Sequence, residues 1–209
     1  KMNPVNDYLI EFLNAALKPL IDRGFVRIVR GGTDVGQYLC NHPLVETLHI
    51  TGAGASHDAI VWGSGEQGAA NKAAKTPTNT RQITSELGAV CPTIVVPGPW
   101  TAADIRFQAE QVASQKLHNS GFNCVACQVL VLPKDWAQKS AFVQALEGVI
   151  QNAFPRGLYY PGAPERLADF CTNNPTFKTL KQPGGQDLVM STLDLGNAKA
   201  RNTEVFAPA

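Results

Sequence analysis

Residues Thr101–Pro133, TAADIRFQAEQVASQKLHNSGFNCVACQVLVLP, read as a helix, a tight turn, a cysteine and then a buried strand. Thr101 stands three residues before Asp104, a capping-type start. Ile105, Ala109, Val112, Ala113 and Leu117 then recur at helical spacing and give one apolar face. Asn119-Ser120-Gly121 ends the helix, because Asn and Gly tolerate the left-handed backbone that a helix terminus needs. Cys127 to Leu132 is apolar and β-prone, and Pro133 closes it. Cys124 therefore lies in a short connection between two rigid elements, where a nucleophile is held with little freedom. Position alone does not make it one, since free cysteine is commonly a small buried hydrophobe.

Upstream, strands and helices alternate. Asn6 or Asp7 caps a helix whose apolar stripe, from Tyr8, Leu9, Phe12 and Leu13 to Ala16, Leu17 and Leu20, is expected in the core. A short strand is expected over Phe25–Val29, a helix over Asp34–Cys40, a strand over Glu46–Ile50 and a helix from the loop Thr51–His57 through Trp62. Residues 63–80, rich in Gly, Ala, Asn, Lys and Thr, read as an exposed loop with some helix around Ala69–Lys75. Arg81–Ser85 is a strand that delivers Glu86, and Thr93–Val96 is a further buried strand. Downstream, Lys134–Ala153 is an amphipathic helix with Trp136, Phe142, Leu146 and Ile150 inward. Residues 156–185 read as irregular and substrate-facing, and Asp187–Leu193 as a strand. Alternation at this pitch is the sign of βαβ units, so the fold class is α/β with a mostly parallel sheet.

The composition agrees and excludes several classes. Of 209 residues, 17% are charged and 44% hydrophobic, with a net charge of +1, which suits a globular protein and not a polyelectrolyte binder. No basic block alternates with aromatics, so no nucleic-acid footprint is expected. The longest apolar runs fall far short of the roughly 18–20 residues that cross a bilayer, so no membrane partner is expected either. Five cysteines without framework spacing suit a reducing compartment, and the expected location is the cytoplasm.

A second stretch, Thr84-Ser85-Glu86-Leu87-Gly88-Ala89-Val90-Cys91-Pro92, gives Cys124 its context. A Glu-Leu-Gly upstream of a Gly-x-x-Cys resembles the signature pair of the NAD(P)-dependent aldehyde dehydrogenases, E-L-G-G-x-x-P and G-Q-x-C. Glu86, Leu87, Gly88 and Pro92 match, with Ala89 in place of the second glycine. Gly121 and Cys124 match, with Phe122 where Gln or Glu is usual. His42-Pro43-Leu44-Val45, Ile50-Thr51-Gly52 and Glu204-Val205-Phe206-Ala207-Pro208 resemble flanking motifs in the same order. The resemblance covers nearly all of the chain but only the middle of the family, whose members are more than twice this long, so the chain is expected to be a piece of a longer protein. It implies an aldehyde-dehydrogenase-like fold. Residues 1–85 would be the C-terminal part of a Rossmann-type dinucleotide-binding domain, and residues 86–209 part of an α/β catalytic domain.

The resemblance also implies roles. Cys124 would attack an aldehyde carbonyl, hydride would pass to NAD or NADP, and Glu86 would activate the water that hydrolyses the resulting thioester. A carboxylate ending a buried strand would suit that base through a raised pKa. Cofactor contacts would come from Lys1, from Gly52 and Ala53 in the loop after a strand, from the backbone of Leu87 and Gly88, and from Glu204 and Phe206. Ala53 replaces the family's phosphate-binding serine, and His57 stands where a later glycine is usual. The full-length protein would be a homo-oligomer. Three alternatives stay open. A CoA-acylating dehydrogenase would pass the acyl group to CoA, and a non-catalytic paralogue would keep only the fold. Cys124-Val125-Ala126-Cys127 would be a redox or zinc CxxC, for which the other cysteines supply no second pair, so no metal is expected.

Overall fold

The computed structural model describes residues 1–88, 90–154, 157–182, 187–194 and 201–206, with residues 192–194 and 201–206 described by backbone alone. The chain divides into two compact units, Lys1–Gly88 and Ala89–Ala209.

In the first unit the Asn3 side chain accepts from the Val5 amide and starts a 3₁₀ turn, Pro4–Leu9. Two short helices follow, α1 (Ile10–Ala16) and α2 (Lys18–Asp22), then α3 (Thr33–Asn41). The stripe expected in the core is not there. Tyr8, Phe12 and Leu20 are exposed, Phe12 at 71%, and Ile10 is the buried residue of α1. The helix is broken at Leu17, so the face cannot run on in register. Phe25–Val29 forms no strand and is tied at its two ends, by the Phe25 amide to the Leu20 carbonyl at 2.9 Å and the Met2 amide to the Val29 carbonyl at 3.0 Å. Arg81 closes the end of α3: its guanidinium donates to the carbonyls of Val45 (2.7 Å), His42 (3.1 Å) and Asn41 (3.3 Å).

β1 (Thr47–Gly52), α4 (Gly54–Trp62), α5 (Gly65–Ala74) and β2 (Gln82–Leu87) complete this unit. β1 and β2 pair in parallel, as a βαβ connection requires. Residues 63–80 hold more helix than the stretch expected around Ala69–Lys75, because α5 starts at Gly65. The α4–α5 hairpin closes so tightly that a Cβ on Gly68 would meet the Gly63 carbonyl oxygen at 2.0 Å. Lys75, at φ +58°, ends the helix in the left-handed region.

The second unit contains β3 (Cys91–Ile94), α6 (Ala102–Leu117), β4 (Cys127–Pro133), α7 (Lys139–Asn152), α8 (Ala163–Asn173), β5 (Lys178–Leu180), β6 (Leu188–Asp194) and β7 (Arg201–Phe206). Its five strands are ordered β3-β4-β7-β6-β5. β3 and β4 run parallel and the other neighbours antiparallel, so the sheet is mixed. The capping box at α6 forms as the sequence implies: the Thr101 hydroxyl accepts from the Asp104 amide and the Asp104 carboxylate from the Thr101 amide. Residues 156–185, expected to be irregular, hold α8 and β5. The segment read as a buried strand at Thr93–Val96 exposes Ile94 and Val96 because β3 ends the sheet.

The core lies where α6 and α7 cover β4. Ala109, Val112 and Ala113 face Leu130 and Leu132 of the strand, and Phe142, Leu146 and Ile150 of α7 complete the layer. Trp100 and Trp136 stack edge-on at 4.9 Å against Phe142 and seal its end. Phe142 is fully buried, so Phe142→Ala is expected to destabilise this unit by about 3–5 kcal/mol. Phe12→Ala, on an exposed face, stays within about 0.5 kcal/mol. Urea titration of the two variants followed by tryptophan fluorescence checks the contrast, since Trp100 and Trp136 report on the Phe142 site.

Candidate active site

In the first unit several candidates meet at one end of the β1–β2 ribbon. Parallel pairing sets Thr51 opposite Glu86 and Gly52 opposite Leu87, and the Gly88 amide donates to the Gly52 carbonyl at 3.1 Å. Gly52, Ala53, Glu86, Leu87 and Gly88 thus cluster at the carboxyl ends of adjacent parallel strands, the place where α/β sheets bind nucleotides. The strand leads straight into α4, whose N-cap Ala53 offers no side-chain acceptor, and a Cβ on Gly54 would meet nothing within 4 Å. The first turn of α4 is therefore open to an anion, which fits a pyrophosphate. His57, one turn in, lies 3.5 Å from Asp58, whose carboxyl is held below its ordinary range first by hydrogen bonding to Lys72. Lys1 is exposed, and its ammonium donates to the Met2 carbonyl. Glu86 is exposed on β2 and not at the end of a buried strand. Among the described residues β2 has a single neighbouring strand, so its other edge is unpaired.

In the second unit α6 stops at Leu117 and the chain reverses through Asn119 (φ +51°), Ser120 (φ +54°) and Gly121 (φ +76°). Left-handed backbone is unfavourable for Asn and Ser, and three such residues in sequence persist only if tied down. The ties are specific. Asn119 donates to the Asn123 carboxamide at 3.2 Å and accepts from the Tyr159 hydroxyl at 3.0 Å. The Ser120 hydroxyl donates to the Gly157 carbonyl at 3.3 Å. Asn123 contacts the His118 ring. Phe122 packs against Tyr159 and Tyr160 with centroids 5.1 and 5.4 Å away, and Arg166 lies over its ring. Beyond this reversal Cys124 is exposed, and its carbonyl accepts from the Cys91 thiol at 3.0 Å.

The two cysteines of the CxxC part company. Cys127, the first residue of β4, is 1% exposed, and burial pushes its thiol pKa up. Among the described residues, no group of three or more His, Cys, Asp or Glu is placed to hold a metal ion. β7 lies between β4 and β6, with Glu204 opposite Leu130 and Val205 opposite Val129. The Glu204-to-Phe206 strand thus runs toward the end of β4 that follows Cys124. The side chains of Glu204 and Phe206 lie outside the described residues. Cys124 and Glu86 belong to different units, and the structure assigns each its own local setting. An open groove of about 660 Å³ between α6 and α7, lined by Arg106, Glu110 and Val149, contains none of the candidates.

Two features carried no expectation. The Gly157–Arg166 segment folds back onto the Cys124 turn, and Lys116, the penultimate residue of α6, is 0% exposed. The sequence carried a signal for the lysine, since it sits at helical spacing with Ala109, Val112 and Ala113 on the buried face. Burial lowers its pKa from 10.5 to about 7, with the nearby Cys127 pulling the other way.

A model of the aldehyde dehydrogenase family matches residues 5–153, and the chain belongs to that family. Solved structures share the fold. Gamma-glutamyl-gamma-aminobutyraldehyde dehydrogenase from Burkholderia cenocepacia J2315 is 22% identical with a TM-score of 0.57, over 79% of this chain and 31% of that one. An indole-3-acetaldehyde dehydrogenase complexed with NAD+ is 17% identical with a TM-score of 0.57, over 90% and 36%. A 3,6-anhydro-L-galactose dehydrogenase, in complex with NADP, is 18% identical with a TM-score of 0.53, over 75% and 32%. The chain spans about a third of the length of these proteins. No match was found among curated proteins. Among the described residues no helix is long and apolar enough to cross a membrane.

Lys116 gives this region a pH signature. The folded chain releases its proton near pH 7 while the unfolded chain holds it to 10.5, so this residue makes stability rise with pH across that window. Lys116→Met is expected to flatten the rise and to stabilise the protein at pH 6 by roughly 2–4 kcal/mol, the advantage shrinking as pH approaches 10. Urea midpoints of both proteins from pH 6 to 10 test this, measured in a Cys127→Ala background because the thiol and Lys116 act on each other.

Proposed function

We propose that this protein is an NAD(P)-dependent aldehyde dehydrogenase that oxidises an aldehyde to a carboxylic acid, with Cys124 as nucleophile and Glu86 as base. The observation that carries the reading is the strained reversal that presents an exposed Cys124, tied down from both sides, in a chain of this family. On this reading residues 1–85 are the C-terminal part of a dinucleotide-binding domain and residues 86–209 part of the catalytic domain, a boundary three residues before the division between the two compact units. In the whole protein, a homo-oligomer in the cytoplasm, aldehyde is the substrate.

The loop from Gly52 and the open first turn of α4, with backbone amides at Ala53 and Gly54, would hold the cofactor pyrophosphate, and Leu87 and Gly88 follow on the neighbouring strand. Lys1, Glu204 and Phe206 serve the cofactor ribose and ring. A bound nicotinamide supplies the hydride acceptor. Cys124 does the covalent work. Its thiolate adds to the carbonyl carbon, the adduct is stabilised by backbone amides near the turn, and loss of hydride leaves a thioester on the sulfur. Glu86 takes a proton from water as that water attacks the thioester, and the acid leaves with Cys124 regenerated.

Phe122 and Ala53, standing where the family usually has polar side chains, favour a second reading as a non-catalytic member that keeps the fold. In the full-length protein, propanal-dependent NADH formation is expected, falling by at least about 1,000-fold in Cys124→Ala. Glu86→Gln keeps a single-turnover burst near one NADH per Cys124 and slows steady-state turnover by roughly 100-fold or more. No turnover across a panel of aldehydes with either NAD or NADP selects the non-catalytic reading. Acyl-CoA in place of free acid selects transfer to CoA.

A further inference from the structure

We propose that Lys116 and Gln128 are positioning residues for Cys124: the Lys116 side chain fixes which way the Gln128 amide faces, and that amide holds the Gly121 carbonyl three residues before the thiol. The proposal rests on the reading of Cys124 as the nucleophile. It begins at an irregularity in the sheet. Cys91 pairs with Cys127, but the next residue, Pro92, pairs with Val129, so Gln128 is an extra residue in β4 with no partner across the ladder. A bulge of this kind turns a side chain out of the strand's alternation. Here it turns Gln128 behind the reversal, where its Oε1 accepts from Lys116 Nζ at 3.1 Å and its Nε2 donates to the Gly121 carbonyl at 3.3 Å.

A glutamine amide can face either way, and only one way serves Gly121. An ammonium has donors and no acceptor, so charged Lys116 enforces the orientation that leaves Nε2 for the carbonyl. A neutral amine can also accept, and the enforcement slackens. The lysine is fully buried, and its pKa near 7 puts that change within working pH. The titratable groups around it are Cys127 of β4, whose charge acts on Lys116, and Cys91 of β3, which acts on Cys127. The chain of contacts therefore runs from a buried amine, through one amide, to the left-handed glycine of the turn. Neither residue touches the reacting atoms, so both act through the placement of Cys124.

The test is alkylation of Cys124 by iodoacetamide in the full-length protein from pH 5.5 to 9.5, read by peptide mass, alongside kcat and KM for propanal. The wild-type rate profile is expected to show an inflection near pH 7 besides that of the thiol itself. Lys116→Met removes it. Gln128→Glu gives Lys116 a carboxylate partner but cannot donate to Gly121, so it moves the inflection upward. Both variants lower kcat by roughly 10–100-fold with little change in KM. Superimposable profiles for the three proteins, with any lost turnover matched by lost folded protein, overturn the proposal. Profiles that differ as stated while no protein oxidises an aldehyde uphold the coupling and defeat the nucleophile reading instead.

Discussion

Between α6 and β4 the backbone turns through Asn119, Ser120 and Gly121 in left-handed conformation, and the position of Cys124 follows from how that reversal is held. Each non-glycine residue there costs on the order of 1 kcal/mol relative to ordinary backbone. Glycine at Gly121 avoids the penalty, and asparagine at Asn119 lowers it through its local side-chain bonds. Ser120 has neither advantage, and its hydroxyl is instead committed to the Gly157 carbonyl. Strain of this kind survives only where surrounding contacts over-determine it. Here they come from both sides, Gln128 within β4 and the Gly157–Tyr160 segment outside it.

Behind the reversal the interior changes character. Around Phe142, Leu130 and Leu132 it is apolar and fully closed, as two helices on a strand require. One turn nearer to Cys124 it holds Lys116, Gln128 and the Cys127 thiol. Burying a lysine with one amide acceptor is unfavourable, and the depressed pKa expresses that cost. An apolar side chain of the same length would pack there more favourably. A polar cluster where the fold has no need of one points to the turn it adjoins, and not to the core.

The parts legible in the sequence were those where one local rule decides the structure. The Thr101–Asp104 capping box, the Gly121 turn and the β-prone run from Cys127 all sit where propensity placed them. Segments decided by non-local contacts were misread. The stripe from Tyr8 to Leu20 has helical spacing, yet the break at Leu17 and the absence of a covering layer among the described residues leave it in solvent. Of α5 only the part from Ala69 is legible, because its Gly, Ala, Asn and Lys residues show no apolar face; a close glycine contact and the Asn71 bond to the Trp62 carbonyl hold the helix from Gly65. α8 and β5 lie in a stretch whose Pro and Gly content resembles a loop. Lys116 was passed over because a charged residue at a core position is normally discounted, although its spacing put it there.

The two halves of the proposed chemistry differ in how they tolerate substitution. In the proposed reading, contacts to a pyrophosphate at the start of α4 would be made by backbone amides, so Ala53 would present the same N–H as a serine and forfeit one hydroxyl bond. Placement of a thiol by side chains has no such latitude. With Phe122 in a position where the family has a polar residue, the turn loses a hydrogen-bonding group and acquires a ring that must be covered. Tyr159 and Tyr160 cover it, and both lie beyond residue 153, where the match to the family model ends. The change inside the motif and the segment after it are thus one structural unit, since the ring without its cover would leave an apolar face in water beside Cys124, and the tyrosines without the ring would lose the surface that seats them.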